Sequence, residues 1–309
     1  ERAMELDLNS VRLERAETRV VRGPFPVVEV DNFLPAPLYA HLLETYPDPR
    51  SDGVNHSMKN YLKSGTVAFD AFLQANPAWS NLIRYLDSDQ FIGHVYDFAL
   101  PIIRDARGPR SSRPWCRNGV PIAGAQTRKA SLWPRKLIEV ETGFELSSME
   151  NGHCITPHSD TPYKLVSILV YFPFADWKQE WGGGTQFFKP MTHDAAARWC
   201  NTDVNHIKHF GEAGLKQFAS EMECFHTAAF VPNRLAMFCK ANNTFHAVDT
   251  IHCPSDRRRN TLVMNINMKE WQQPAWMRTS ARWWRRAQQL VGQRGRAPLR
   301  PISSGDGYD

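Results

Sequence analysis

The chain predicts an all-β sandwich or barrel flanked by α-helices, on three observations. Beyond residue 135 the texture is short β-branched and aromatic runs separated by turn residues. Upstream, from Phe69 to about Arg107, apolar residues instead recur at helical spacing. The hydrophobic share of 42% over 309 residues suffices for one large core, with no run apolar and long enough to cross a bilayer.

Taken in order, residues 1–22 are charged and weakly patterned and read as a partly ordered arm. Phe25–Leu34 is a β-branched strand ending in a turn, after which Pro35 or Pro37 opens a helix through Leu42 and Leu43. Residues 50–66 read as a loop, and 69–107 as two or three helices broken at Pro77 and at Asp87–Asp89. The Gly-, Pro-, Arg- and Ser-rich stretch 107–134 reads as an irregular loop. Strands are expected at Lys136–Met149, Leu165–Phe172, Thr185–Phe188, Thr227–Val231, Leu235–Cys239, Phe245–Val248 and Arg259–Met268. Between them, Thr192 caps a short helix, Ala195–Cys200, before a polar excursion to residue 224. This divides the chain into an N-terminal strand and helical layer (1–134), a β core (135–270) and a basic C-terminal helix and tail (271–309).

The net charge of +5 is concentrated near the C-terminus, where Trp276, Trp283 and Trp284 alternate with Arg278, Arg282, Arg285 and Arg286. That segment reads as a helix packing its tryptophans on the core, with peripheral contact to an anionic membrane surface as the competing role. No nucleic-acid partner is expected from so local an excess. Six cysteines without a paired spacing resemble neither a disulfide framework nor a zinc ribbon. No signal-peptide pattern opens the chain, so a reducing, cytoplasmic setting is the expectation.

His158-Ser159-Asp160, with His246 far downstream, carries the chemistry. Residues two apart on an extended segment project from one face, so His158 and Asp160 can share an ion that His246 reaches from a partner strand. Two imidazoles and one carboxylate suit iron(II), manganese or zinc, and a mixed N/O site with open positions favours iron oxygen chemistry. A lone histidine is more often structural, and the chain has eleven. The weight therefore lies in the order of the motifs around these three.

That order runs Gly152-x5-His158-x-Asp160, Lys164-x6-Tyr171, Gly182-Gly183-Gly184-Thr185-Gln186-Phe187-Phe188, Phe245-His246-Ala247-Val248, then Arg257-Arg258-Arg259-Asn260-Thr261-Leu262. On these pieces residues 145–268 resemble the catalytic core of the iron(II)/2-oxoglutarate-dependent dioxygenases, in the prolyl 4-hydroxylase-like branch. The resemblance implies a double-stranded β-helix, or jelly roll, with iron(II) held at one end by His158, Asp160 and His246. It also implies 2-oxoglutarate as co-substrate, dioxygen as oxidant and ascorbate as a candidate accessory. The family's basic residue for the far carboxylate of 2-oxoglutarate falls here on Arg259, with Thr261 two residues on, and Arg257 as second choice. A planar guanidinium suits that carboxylate because it pairs bidentately. Many relatives carry a tyrosine beside the co-substrate where this chain has Met149; Ser147, Ser167, Tyr171 and Thr261 are the available substitutes.

The implied reaction is hydroxylation of an unactivated C–H bond with release of succinate and carbon dioxide. Related halogenases lack the carboxylate ligand, whereas Asp160 is present. The substrate can be a small molecule, a peptidyl residue or a glycoconjugate, and Tyr163, Lys164, Trp177 and Trp181 are candidates to border its opening. Two rival classes remain: a cupin-type metal dioxygenase that does not use 2-oxoglutarate, and a non-catalytic binding or sensing protein on the same fold.

Overall fold

The computed structural model describes residues 11, 13, 17–52, 54–56, 59–107, 113–122, 137–200 and 211–272. Two antiparallel sheets face one another, and helices cover the far side of the larger. The chain enters through a hairpin, β1 (Thr18–Val21) and β2 (Val27–Val30), then forms α1 (Ala36–Glu44) with Pro37 in its first turn. A four-residue helix, α2 (Pro49–Asp52), and a second hairpin, β3 (Val54–His56) with β4 (Lys59–Lys63), occupy much of the stretch expected to be loop. The weak polar alternation of 54–63 hides a hairpin that gains its register only by pairing β4 with a long neighbour, β7 (Ile138–Met149).

The helical stretch resolves into α3 (Val67–Ala75), α4 (Pro77–Leu86) and α5 (Asp89–Arg107). Thr66 caps α3 by accepting from the Phe69 N–H, and Pro77 occupies the first turn of α4, where a missing N–H costs nothing. The 107–134 stretch is not wholly irregular: β5 (Trp115–Arg117) and β6 (Val120–Pro121) form a small hairpin, β5 running parallel to the start of β7, while 123–134 lie outside the described residues.

From β7 onward the chain passes back and forth between the sheets, except that β10 and β11 follow one another in the smaller one. It continues through β8 (Ile155–His158), β9 (Lys164–Tyr171), β10 (Thr185–Pro190), α6 (His193–Trp199), α7 (Gly211–Glu221), β11 (Met222–Ala228), β12 (Leu235–Cys239), β13 (His246–Val248) and β14 (Arg259–Met268). The larger sheet runs β1-β2-β12-β9-β14-β7-β4-β3, and the smaller runs β11-β10-β13-β8. Helix α7 and strands β1 and β8 were not expected, and β11 begins five residues before the predicted strand. Thr192 caps α6 as expected, its hydroxyl accepting from the Ala195 N–H.

Period-2 alternation sorts the larger sheet into two faces. Val166, Ile168 and Val170 of β9, with Leu262, Met264 and Ile266 of β14, pack against the helices around Trp79, Phe91 and Leu42. The opposite residues, Ser167, Leu169 and Tyr171 with Arg259, Thr261 and Asn265, look toward the smaller sheet. Between the sheets Phe187 of β10, Phe238 of β12 and Phe230, just past β11, close a second apolar cluster.

Tyr46, just past α1, ties the helical layer to the strand that carries Arg259. Its phenolic oxygen accepts from the Thr261 N–H at 3.0 Å, and its hydroxyl lies 2.9 Å from the Ser147 carbonyl. Tyr46→Phe strips a buried N–H of its partner and is expected to cost about 1–3 kcal/mol. Urea unfolding reads this as a lower midpoint at unchanged slope; an unchanged midpoint would refute it.

The C-terminal tryptophan–arginine segment lies outside the described residues, which end in a 3₁₀ turn, Glu270–Gln272. Among the described residues no helix is long and apolar enough to cross a membrane. The six cysteines are all unpaired.

Candidate metal centre

His158 ends β8 and His246 begins β13, and the ladder between these strands sets them opposite one another. Their rings lie 4.1 Å apart between centroids. Asp160 follows in a turn whose backbone takes φ 59° at that residue, a left-handed conformation that Asp tolerates better than most residues. The carboxylate thereby comes back onto the two rings: Oδ1 lies 3.7 Å from His158 Nε2, and Oδ2 3.8 Å from His246 Nε2. One ligand atom from each of the three lies within 4.8 Å of the others, the only such group of three or more among the described residues.

Both imidazoles are oriented alike. His158 Nδ1 lies 3.0 Å from the Thr156 carbonyl, and His246 Nδ1 3.0 Å from the Thr244 carbonyl. A carbonyl can only accept, so each Nδ1 carries the proton and each Nε2 lone pair points at the shared space. Burial holds His246 below the usual imidazole range, against the pull of Asp160, so it stays neutral and able to ligate. Burial would raise the Asp160 carboxyl, but the charge and hydrogen bond of Lys164 oppose it and hold it far below the usual carboxylate range. Lys164 Nζ donates to Oδ1 at 2.7 Å, and the Ser167 hydroxyl lies 3.1 Å from Oδ2. Phe238, 4.5 Å from the His246 ring, makes the wall beside it apolar.

Arg259 opens β14 and lies on the same inner face, only 2% exposed. Its Nε donates to the Gly183 carbonyl at 2.6 Å, its Nη1 to Thr261 Oγ1 at 2.9 Å, and its Nη2 to Thr185 Oγ1 at 3.3 Å. The guanidinium carbon sits 5.4 Å from the Tyr171 ring centre and 5.3 Å from that of Phe230. No described carboxylate comes within 4.0 Å of it, and burial draws its pKa down. A guanidinium so buried costs several kcal/mol in the absence of an anion.

The glycine run explains part of this. Gly182 and Gly183 take φ of 81° and 93°, which frees the Gly183 carbonyl to face Arg259. At Gly184 a Cβ would stand 2.6 Å from Thr227 Cγ2 and 3.1 Å from the Ala228 carbonyl, so only glycine lets β10 lie against β11 there.

The structure separates the two arginine candidates. Arg257 does not share an inner face with Arg259, because β14 starts only at Arg259 and Arg257 sits in the turn before it. There it pairs with Asp176 at 2.9 Å and with Asp256 at 2.5 Å, near the surface. Arg258 turns to Asp48. Thr261 meets Arg259 directly. Tyr171 gives Arg259 its ring face, while its hydroxyl bonds Thr185. Met149 places its sulfur 3.8 Å from Arg259 Nη1. Ser167 bonds Asp160 and Asn265 and not the guanidinium. Trp177 and Trp181 are half-buried and pack against Val248 and Ile251, with Trp177 edge-on to Phe230. Thr185, Gly183 and the contact of Lys164 with Asp160 were not identified from sequence.

Neither a protein-family model nor a curated protein matches the chain. Among solved structures it is similar to a prolyl hydroxylase in complex with a hypoxia inducible factor oxygen degradation domain peptide fragment from Trichoplax adhaerens, at 10% identity and TM-score 0.40, over 82% of this chain and 86% of that one. It is similar to a Pseudomonas putida prolyl-4-hydroxylase at 14% identity and TM-score 0.36, over 79% and 92%. A third is a prolyl 4-hydroxylase from Phytophthora capsici, at 13% identity and TM-score 0.44, over 85% and 68%.

Proposed function

We propose that the chain is an iron(II)- and 2-oxoglutarate-dependent oxygenase on a double-stranded β-helix, hydroxylating an unactivated C–H bond. The observation that carries this reading is one interior holding two complementary features: a His-Asp-His set of converging donors, and a buried guanidinium with no carboxylate among the described residues. The strand alternation supports the jelly-roll description, since β7, β9, β12 and β14 fall in the larger sheet and β8, β10, β11 and β13 in the smaller.

The residues fit the groups this chemistry needs. His158, Asp160 and His246 offer two neutral nitrogens and one carboxylate oxygen on one side of an ion, which leaves further coordination positions for other ligands. Bound iron(II) and 2-oxoglutarate would supply the oxidising chemistry, with dioxygen consumed and succinate and carbon dioxide released. Arg259 would take the distal carboxylate, its position fixed by Gly183, Thr261 and Thr185. Ser167, bonded to Asp160, and Tyr171, against Arg259, stand four residues apart on β9, about 13 Å along the strand. Leu169 projects between them, with Phe238 beside it on β12 and Phe187 facing it from β10, so the intervening space is lined by apolar groups. A small molecule, a peptidyl residue or a glycoconjugate remains the substrate class.

The test is an anaerobic titration of the protein with iron(II), then 2-oxoglutarate, followed in visible absorption. A weak charge-transfer band on addition of 2-oxoglutarate, and succinate formed on admitting oxygen, are expected. Iron binding with neither response would favour a cupin-type dioxygenase, and no metal binding would favour a non-catalytic protein.

A further inference from the structure

Strand β9 carries one residue more than its partner at the end nearest the metal centre. Along β14, Ile266 pairs with Val166, but the next residue, Asn267, pairs with Lys164. In a regular strand Lys164 would share the face of Val166 and Ile168 and point into the helical layer. The extra residue reverses this. Leu165 and Val166 both lie in the helix-side core, and Lys164 emerges on the inner face with Ser167.

From there β9 grips both oxygens of one carboxylate, Lys164 taking Asp160 Oδ1 and Ser167 taking Oδ2. Asp160 is not held by a ladder: it sits in a turn, at φ 59°, between β8 and β9. Strand geometry therefore does not orient its side chain, and these two contacts do. We propose that Lys164 is a positioning residue for the metal-ligating carboxylate, delivered to the interior by the β9 bulge. This rests on reading His158, Asp160 and His246 as the metal site.

The proposal has a sign that simple electrostatics does not share. An ammonium beside a divalent ion repels it, so as a bare charge Lys164 would weaken metal binding and its removal would tighten it. As a positioning group its removal lets Asp160 turn away and weakens binding, by the about 10–100-fold typical of losing an outer partner of a ligand. Lys164→Met, titrated without oxygen with cobalt(II) and with iron(II), is expected to show a dissociation constant raised by about that factor. The cobalt(II) visible bands should change in position or intensity, reporting an altered ligand set, while the melting point of the metal-free protein stays near that of the parent. Lys164→Gln, which keeps an N–H donor on a shorter arm, should show a smaller rise and covers the case in which the methionine variant folds poorly.

Affinity unchanged or tightened in the variant that folds, with an unaltered cobalt spectrum, would overturn the assignment of Lys164 alone. A parent protein that binds neither metal would instead remove the metal site itself. The two failures are thus told apart.

Discussion

Asp160→Ala and His246→Ala are each expected to reduce iron-dependent turnover to background while the β core stays folded. Each removes one of three donors, so metal affinity should fall by more than the about 10–100-fold that loss of an outer partner costs. Folding should survive because neither side chain belongs to the apolar clusters that hold the two sheets and the helices together. Asp160 allows a sharper control. Its φ of 59° disfavours alanine, by about 1–2 kcal/mol, but not glycine. Asp160→Gly should therefore lose metal as fully as Asp160→Ala and melt higher than it. Cobalt(II) titration and a thermal melt of each variant decide this; full activity in either Asp160→Ala or His246→Ala would overturn the ligand assignment.

The parts of this site legible in the sequence are those written as local pattern. β12 and β14 coincide with their expected limits because each is a continuous run rich in apolar residues, bounded by polar or turn residues. His158 and Asp160 are visible as a pair because only one residue separates them. β8 was not visible: Ile-Thr-Pro-His has neither alternation nor length, and it is a strand only because β13 pairs with it. The stretch before β11 reads as polar because α7 buries only Gly214 and Phe218 fully, too narrow a stripe to mark a helix. Lys164 shows the limit most plainly. Which face it takes depends on a bulge defined by register against β14, far along the chain, and no local pattern encodes that. Arg257 and Arg259 differ in surroundings for the converse reason: they are two apart in sequence, but the strand begins only at Arg259.

Arg259→Met is expected to separate co-substrate binding from metal binding. The guanidinium is buried and its hydrogen bonds run to a carbonyl and two hydroxyls, so its charge is unmatched by any described carboxylate. Removing one partner of a buried, hydrogen-bonded charge pair costs about 2–5 kcal/mol, so the KM for 2-oxoglutarate should rise by at least about thirtyfold. Cobalt(II) affinity should hold within a few-fold, since Arg259 touches none of the three ligands. Arg259→Lys should fall between, keeping a charge but losing the planar fork. Stability supplies an independent reading. If the guanidinium is there for an anion, a methionine of similar length removes an uncompensated buried charge, and the protein without 2-oxoglutarate should melt no lower than the parent. Adding 2-oxoglutarate with metal should then raise the parent's melting point and leave that of Arg259→Met nearly unmoved. A large loss of stability in the variant, with KM unchanged, would make Arg259 a structural strut and leave the metal centre without a recognisable seat for 2-oxoglutarate.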